Sequence, residues 1–291
     1  NPKNLYFYAK NNMTPKYIDI HAHVNFKAFD EDRDAVVKRA LENDTWLINV
    51  GTQVDTSKKA VEMARQCKEG VYAVIGLHPI HTGKSFHDKQ ELGEEGAEFT
   101  SRGEVFDKNI YRELLKDPKV VAIGECGLDY YRAEPESIEK QKKAFIEQIE
   151  LANEIGKPLM LHIRDAYADT LRILKEHAKV KGVIHFFAGN VEEAKGFLDF
   201  GFMLSFSGAI TYPPRKNGEG CNYGEIIKNT PLEMILTDTD SPYVAPVPYR
   251  GKRNEPFYVR EIVKKIAEIK NLPEREVAKA VVANARKLFD I

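Results

Sequence analysis

Tyr17-Ile18-Asp19-Ile20-His21-Ala22-His23 is a short apolar run with polar residues at every second position, and it is the first of a series. Seven more runs follow: TWLINVG at 45–51, VYAVIGLH at 71–78, VVAIGECGLD at 120–129, PLMLHIRD at 158–165, GVIHFFAG at 182–189, FMLSFSGAI at 202–210 and EMILTDTD at 233–240. Each is rich in Val, Ile, Leu or aromatic residues and short enough to be a strand buried on both faces, as in a parallel sheet. Between them lie helical patterns, clearest at 137–155, where Ile138, Phe145, Ile149 and Ala152 form one stripe before Gly156 and Pro158 end it. Weaker stripes occupy 34–41, 56–67, 166–177 and 191–198, and Pro256 and Pro273 are placed to open two last helices. Eight strands alternating with helices predict a single (β/α)8 TIM barrel over residues 17–291, preceded by an N-terminal extension, 1–16. The main irregularity is 84–107, polar and glycine-punctuated, expected to be a long βα loop with a short helix of its own ahead of the helix before strand four.

Composition narrows the function classes. The chain has 291 residues, is 43% hydrophobic and 30% charged, and contains no apolar run near the ~18 residues that cross a bilayer. No membrane association and no obligate protein partner are expected. A formal net charge of −1 provides no overall basic field to steer the protein onto nucleic acid, so any such contact must be local. Cys67, Cys126 and Cys221 are odd in number and far apart, which argues against a disulfide framework or a CxxC site. The first residues carry no apolar secretory core, and the expected location is cytoplasmic.

Six residues of metal-ligand type fall at or near the C-terminal ends of predicted strands: His21, His23, Glu125, His162, His185 and Asp240. Barrel active sites are built at that end. Side chains alternate along a strand, so His21 and His23 share one face and can serve one ion, with Asp19 a step deeper on the same face to accept a hydrogen bond from a ligand ring or complete the shell. A lone buried histidine in a strand is usually structural. Four of the eight histidines at equivalent strand ends, with two carboxylates, are not what a Val/Ile/Leu barrel core requires. Imidazole mixed with hard oxygen suits Zn, Mn or Mg, and the lack of cysteine argues for a catalytic rather than a closed structural site. Six ligands exceed the needs of one tetrahedral ion, and a glutamate between two histidine sets can bridge two.

The ordered motifs DIHAH at 19–23, GLHP at 76–79, IGECGLDYY at 123–131, LHIRDA at 161–166, HFFAG at 185–189, TDSPY at 239–243, RGKRNEP at 250–256 and NARKLF at 284–289 carry a resemblance. Over nearly its full length the chain resembles the TatD-family metal-dependent deoxyribonucleases of the amidohydrolase superfamily. The resemblance implies that His21, His23 and Asp240 hold one ion, His162 and His185 the second, and Glu125 both. It implies hydrolysis of DNA, often from the 3′ end, by a metal-activated water. Two departures stand out: Ile80 stands where the family's GxHPH has its second histidine, which is missing unless His81 substitutes, and Asp238-Thr239-Asp240 replaces the family's ETD.

In that chemistry Glu125 and Asp240 are the catalytic carboxylates, Asp240 shuttling a proton. His78 and Arg164 are expected to hold phosphate, Arg164 being two residues beyond His162 on the same face. Tyr130, Tyr131 and Arg132 follow strand four and can contact a nucleotide, with packing the plainer role for the tyrosines. Arg250, Lys252 and Arg253 concentrate positive charge after the last strand and are expected to contact the DNA backbone, single-stranded DNA being the expected partner. Cys126 is expected to point away from the ions and pack. Two other readings compete: an amidohydrolase-type enzyme acting on a small ester, lactone, amide or phosphotriester, and a non-catalytic metal-binding protein.

Overall fold

The structure, a computed structural model, describes residues 14–84, 86–87, 99–100, 102–213 and 220–291. Eight parallel strands stand in sequence order: β1 (Tyr17–Ala22), β2 (Thr45–Val50), β3 (Val71–Ile75), β4 (Val120–Asp129), β5 (Leu159–Arg164), β6 (Gly182–Ile184), β7 (Met203–Phe206) and β8 (Ile235–Thr237). The sheet curls into a nearly closed barrel. Its seam is made just beyond β8, where Asp240 N donates to His21 O (2.9 Å) and His23 N to Ser241 O (2.7 Å).

The strands alternate with helices α1 (Arg33–Glu42), α2 (Val54–Arg65), α3 (Lys108–Leu114), α4 (Pro135–Ile155), α5 (Tyr167–His177), α6 (Val191–Phe200), α7 (Tyr223–Asn229) and α8 (Val259–Lys270), and α9 (Glu274–Phe289) follows. Local chemistry sets their ends. Pro135 in the first turn starts α4 three residues before the apolar stripe, which begins at Ile138, because its fixed φ suits that position. Gly156 ends it in the left-handed conformation at φ +75°. α6 opens on a capping box between Asn190 and Glu193. α3 and α7 are too short for a periodic stripe to form, and α7 is announced in sequence only by the Asn222 cap. Pro256 opens a 3₁₀ turn, Pro256–Tyr258, that runs into α8.

Alternation divides the strands' side chains between barrel interior and helical shell. On β1, Asp19 and His21 point inward while Ile18 and Ile20, both fully buried, meet the helices. Asn284 of α9 donates to the Leu232 and Ile235 carbonyls (both 2.9 Å), and Tyr17 Oη donates to Glu274 (2.7 Å). Asn284 of the NARKLF motif thus ties α9 to the start of β8, at the end of the strand opposite Asp240. Within 84–107, residues 86–87 pair antiparallel with 99–100. The short helix expected somewhere in that stretch is not seen among its described residues, and 85, 88–98 and 101 lie outside them, as does 1–13 of the N-terminal extension.

Candidate metal centre

Glu125 stands in the middle of the barrel mouth, 3% exposed, and its two oxygens face different imidazole groups. Oε2 lies 3.2 Å from His21 Nε2 and 3.6 Å from His23 Nε2. Oε1 lies 2.8 Å from His185 Nε2, 3.1 Å from His162 Nδ1 and 3.2 Å from His78 Nε2. Asp240 Oδ1 completes the first group, 3.5 Å from His23 Nε2 and 3.8 Å from His21 Nε2. Glu125 sits where the pairing of β4 with β5 is irregular, between Ile123 and Cys126. A Cβ at Gly127, where φ is +137°, would fall 2.1 Å from the His162 carbonyl oxygen, so only glycine fits beside the ligand strand.

The hydrogen bonds on the far side of each ring decide what it offers to the centre. His23 Nδ1 is 2.9 Å from the Val50 carbonyl oxygen, which only accepts, so Nδ1 carries the proton and Nε2 presents a lone pair. That lone pair faces His21 Nε2 at 3.1 Å and two carboxylates. Burial first, and then the charge of His185, push the His21 pKa down to about 3, so this ring too is neutral. Lone pairs and carboxylates converging in a buried space repel one another unless a cation stands between them. The donor set therefore fits a divalent ion. On the other side, His162 Nδ1 and His185 Nε2 each face Glu125 Oε1, although by mutual distance His185 groups with His21 and Glu125.

His78 differs. Purely by distance it groups with Glu125 and His162 as possible ligands. Its Nδ1, however, accepts a hydrogen bond from Ile80 N (3.2 Å), so in the neutral ring Nε2 holds the proton and donates to Glu125. His78 is a donor aimed into the centre, not a ligand. Ile80, the departure from the family pattern, contributes only its backbone to this. His81 is buried beside His78, their ring centroids 5.9 Å apart, and lies outside the three ligand groups.

The polar residues behind the centre are arranged otherwise than the sequence suggests. Asp19 supports no ligand ring: it accepts from Thr239 N (2.9 Å), Thr239 Oγ1 (2.5 Å) and the backbone N of His21 (3.2 Å). It clamps the end of β1 to the turn that carries Asp240, whose own φ is +51°. Burial raises the Asp19 carboxyl well above its usual range, with the Thr239 hydrogen bonds opposing. Asp238 accepts from Ser205 Oγ and from Phe186 N (3.2 Å), next to His185. Burial lifts its pKa to about 6 against the opposing charge of His185. Sequence reasoning missed Asp129, whose Oδ2 is 2.8 Å from His162 Nε2. The signal was present, since Glu125 and Asp129 are an even number of residues apart on one strand and so share a face.

Around the rim, Arg164 stacks on Tyr131, its guanidinium carbon 3.6 Å from the ring centroid, with Arg132 at 4.9 Å from the same ring. Tyr130 Oη instead donates to Asp169 (2.7 Å), a packing role. The segment 250–253 divides. Arg250 is exposed and lies 4.5 Å over the Tyr212 ring, and Lys252 is exposed. Arg253 is half-buried: its Nη1 and Nη2 grip both oxygens of Asp32 (2.8 and 2.6 Å), and Glu255 is 3.5 Å away. The expected DNA contact is a brace between the loop after β8 and the start of α1, because a bidentate carboxylate is a better partner for a guanidinium than water. Cys126 is buried, with Sγ 3.8 Å from the Met160 carbonyl oxygen. No helix among the described residues is long and apolar enough to cross a membrane.

Residues 18–290 match the family model for TatD related DNase. Bacillus subtilis YabD, described as an uncharacterized metal-dependent hydrolase, is 37% identical across 94% of this chain and 98% of its own length. Escherichia coli YcfH, described in the same words, is 32% identical across 94% and 96%. Among solved structures, the TatD homologue YjjV of Escherichia coli superposes with a TM-score of 0.79 at 26% identity, covering 96% of this chain and all of that one. Shared fold, near-complete coverage and a ligand-bearing barrel mouth lead to one conclusion: the chain belongs to the TatD family of metal-dependent hydrolases.

Proposed function

We propose that the protein is a deoxyribonuclease that cleaves phosphodiester bonds at the 3′ end of single-stranded DNA, using two divalent ions of the Mg, Mn or Zn class. His21, His23 and Asp240 would hold one ion, His162 and His185 the other, and Glu125 both. The observation that carries this reading is the split of Glu125, one oxygen toward each histidine group. Ions held by these residues would supply Lewis-acid stabilisation of a phosphoryl group and acidify a water for in-line attack.

The chain's own groups do the rest. Asp240, held on its turn by the bond from its N to His21 O, takes the proton of the attacking water and returns it to the leaving oxygen. His78, its proton held on Nε2 by the bond from Ile80 N, donates to a phosphoryl oxygen in the way an oxyanion hole does. Arg164, kept over Tyr131, grips a flanking phosphate with its guanidinium edge while its face stays stacked. Arg250 and Lys252 extend positive charge along the rim, and their exposure suits a flexible single strand better than a rigid duplex.

The test is a substrate panel of single-stranded and duplex DNA, RNA and small esters or lactones, each assayed with Mg, Mn and Zn. Stepwise release of mononucleotides from the 3′ end of single-stranded DNA is the expected result. Rapid turnover of a small ester with intact DNA would replace this reading with the amidohydrolase-type alternative.

A further inference from the structure

We propose that Asp129 is a positioning residue that selects which nitrogen His162 presents to the second ion. The inference rests on the two-ion reading above. His162 is the one histidine of the centre that offers Nδ1, 3.1 Å from Glu125, whereas His21, His23 and His185 all offer Nε2. A neutral imidazole has one proton and one lone pair, so the ring can ligate through Nδ1 only if its proton stays on Nε2. Asp129 Oδ2 is 2.8 Å from that Nε2 and, as an ionised carboxylate, can only accept. It keeps the proton on the far nitrogen and leaves the near one bare.

Asp129 is itself fixed at every polar atom. Its Oδ1 accepts from Tyr131 N (3.0 Å), its N donates to Gln141 Oε1 (2.8 Å), and its O accepts from Gln141 Nε2 (2.9 Å), with Gln141 buried on α4. The carboxylate is 4% exposed and cannot swing away. A group clamped in this way defines a ring orientation rather than following one. The same contacts join two parts of the mouth, because Tyr131, whose backbone bonds Asp129, is the ring on which Arg164 stacks.

Asp129→Asn is the informative substitution. Its amide oxygen can still accept from Tyr131 N, which turns the NH₂ toward His162 Nε2 and draws the proton to Nδ1. That tautomer inversion is the kind that disables a catalytic triad when its Asp becomes Asn. The expected result, by metal analysis and calorimetric titration of the full chain with Mn or Zn, is a second ion bound about 10- to 100-fold more weakly and a first ion unchanged. ¹⁵N imidazole spectra of the Zn-loaded proteins should show His162 bound through Nδ1 in the wild type and the Nδ1 signal protonated and unligated in the variant. Asp129→Ala, which removes the acceptor without offering a donor, should weaken the same ion less specifically, and circular dichroism verifies that both variants are folded. Two ions bound with wild-type affinity by folded Asp129→Asn overturn the proposal. A wild-type chain that binds only one ion overturns instead the two-ion reading on which it rests.

Discussion

The two ligand groups on either side of Glu125 are held by different means. In the first, the main chain does most of the work: the Val50 carbonyl fixes the tautomer of His23, and Asp240 is delivered by a turn bonded through its N to His21 O. In the second, His162 depends on the Asp129 side chain, and His185 Nδ1 has no partner among the described residues. A carbonyl is present whatever residue carries it, while a carboxylate is removed by one substitution. The first group is therefore built into the seam of the barrel and is reached only through the side chains behind its backbone, whereas a ring of the second is oriented directly by one side chain.

The most severe way to break this comparison is to remove what both groups share. Glu125→Gln keeps the size but loses the charge that, on the proposed two-ion reading, would offset repulsion between the ions, and turnover should fall by about 10²–10³-fold or more, with at least one ion lost. Metal analysis beside single-turnover cleavage decides it: two ions and near-normal rates would mean that Glu125 bridges nothing. Exhaustive chelation should likewise abolish activity and leave the far-ultraviolet spectrum unchanged, because the core of a barrel this size is independent of the ions. Restoration by a divalent ion completes that experiment.

Finer substitutions should separate the groups. Thr239→Val takes a hydroxyl from Asp19 and loosens the turn bearing Asp240. It should weaken the first ion by about tenfold while sparing the second, the mirror image of the Asp129 variants. It also leaves a buried carboxyl short of a partner, at about 1–3 kcal/mol in stability. Equal loss of both ions would show that the two groups form one unit. Arg164→Ala touches neither group directly and should lower kcat/KM through KM, by about 10-fold, while metal content stays constant.

The smallest effect belongs to Arg253. As a brace rather than a DNA contact, its replacement by Ala should cost no more than about 1 kcal/mol, as expected for a part-exposed pair, and leave the salt dependence of DNA binding unchanged. Replacing Arg250 and Lys252 together should flatten that salt dependence. The hydrogen bond from Arg253 depresses the Asp32 pKa, with a smaller opposing effect of burial. The pair's contribution is thus present above the unfolded Asp value, about 4, and is lost as pH falls through the lower folded value. A denaturation series from pH 7 downward should bring wild type and Arg253→Ala together only in that acid range.

What the sequence by itself determined was periodic or discrete. Strand-length apolar runs at regular separations specify eight parallel strands, and polar residues at their C-terminal ends specify what lines the mouth, because strand direction and alternation follow from local geometry. Hence His21, His23, Glu125, His162, His185 and Asp240 could be read as one site before any contact was known. Only the tertiary structure decided the partners. Asp19 turned from a supporter of ligand rings into a clamp on Thr239, Arg253 from a phosphate contact into a brace on Asp32, and His78 into a donor whose tautomer is set by Ile80 N. Asp129 was identified as the orienter of His162. These outcomes depend on which acceptor lies within about 3 Å of a given nitrogen. That distance is settled by how strands far apart in sequence pack together, and no local pattern of residues encodes it.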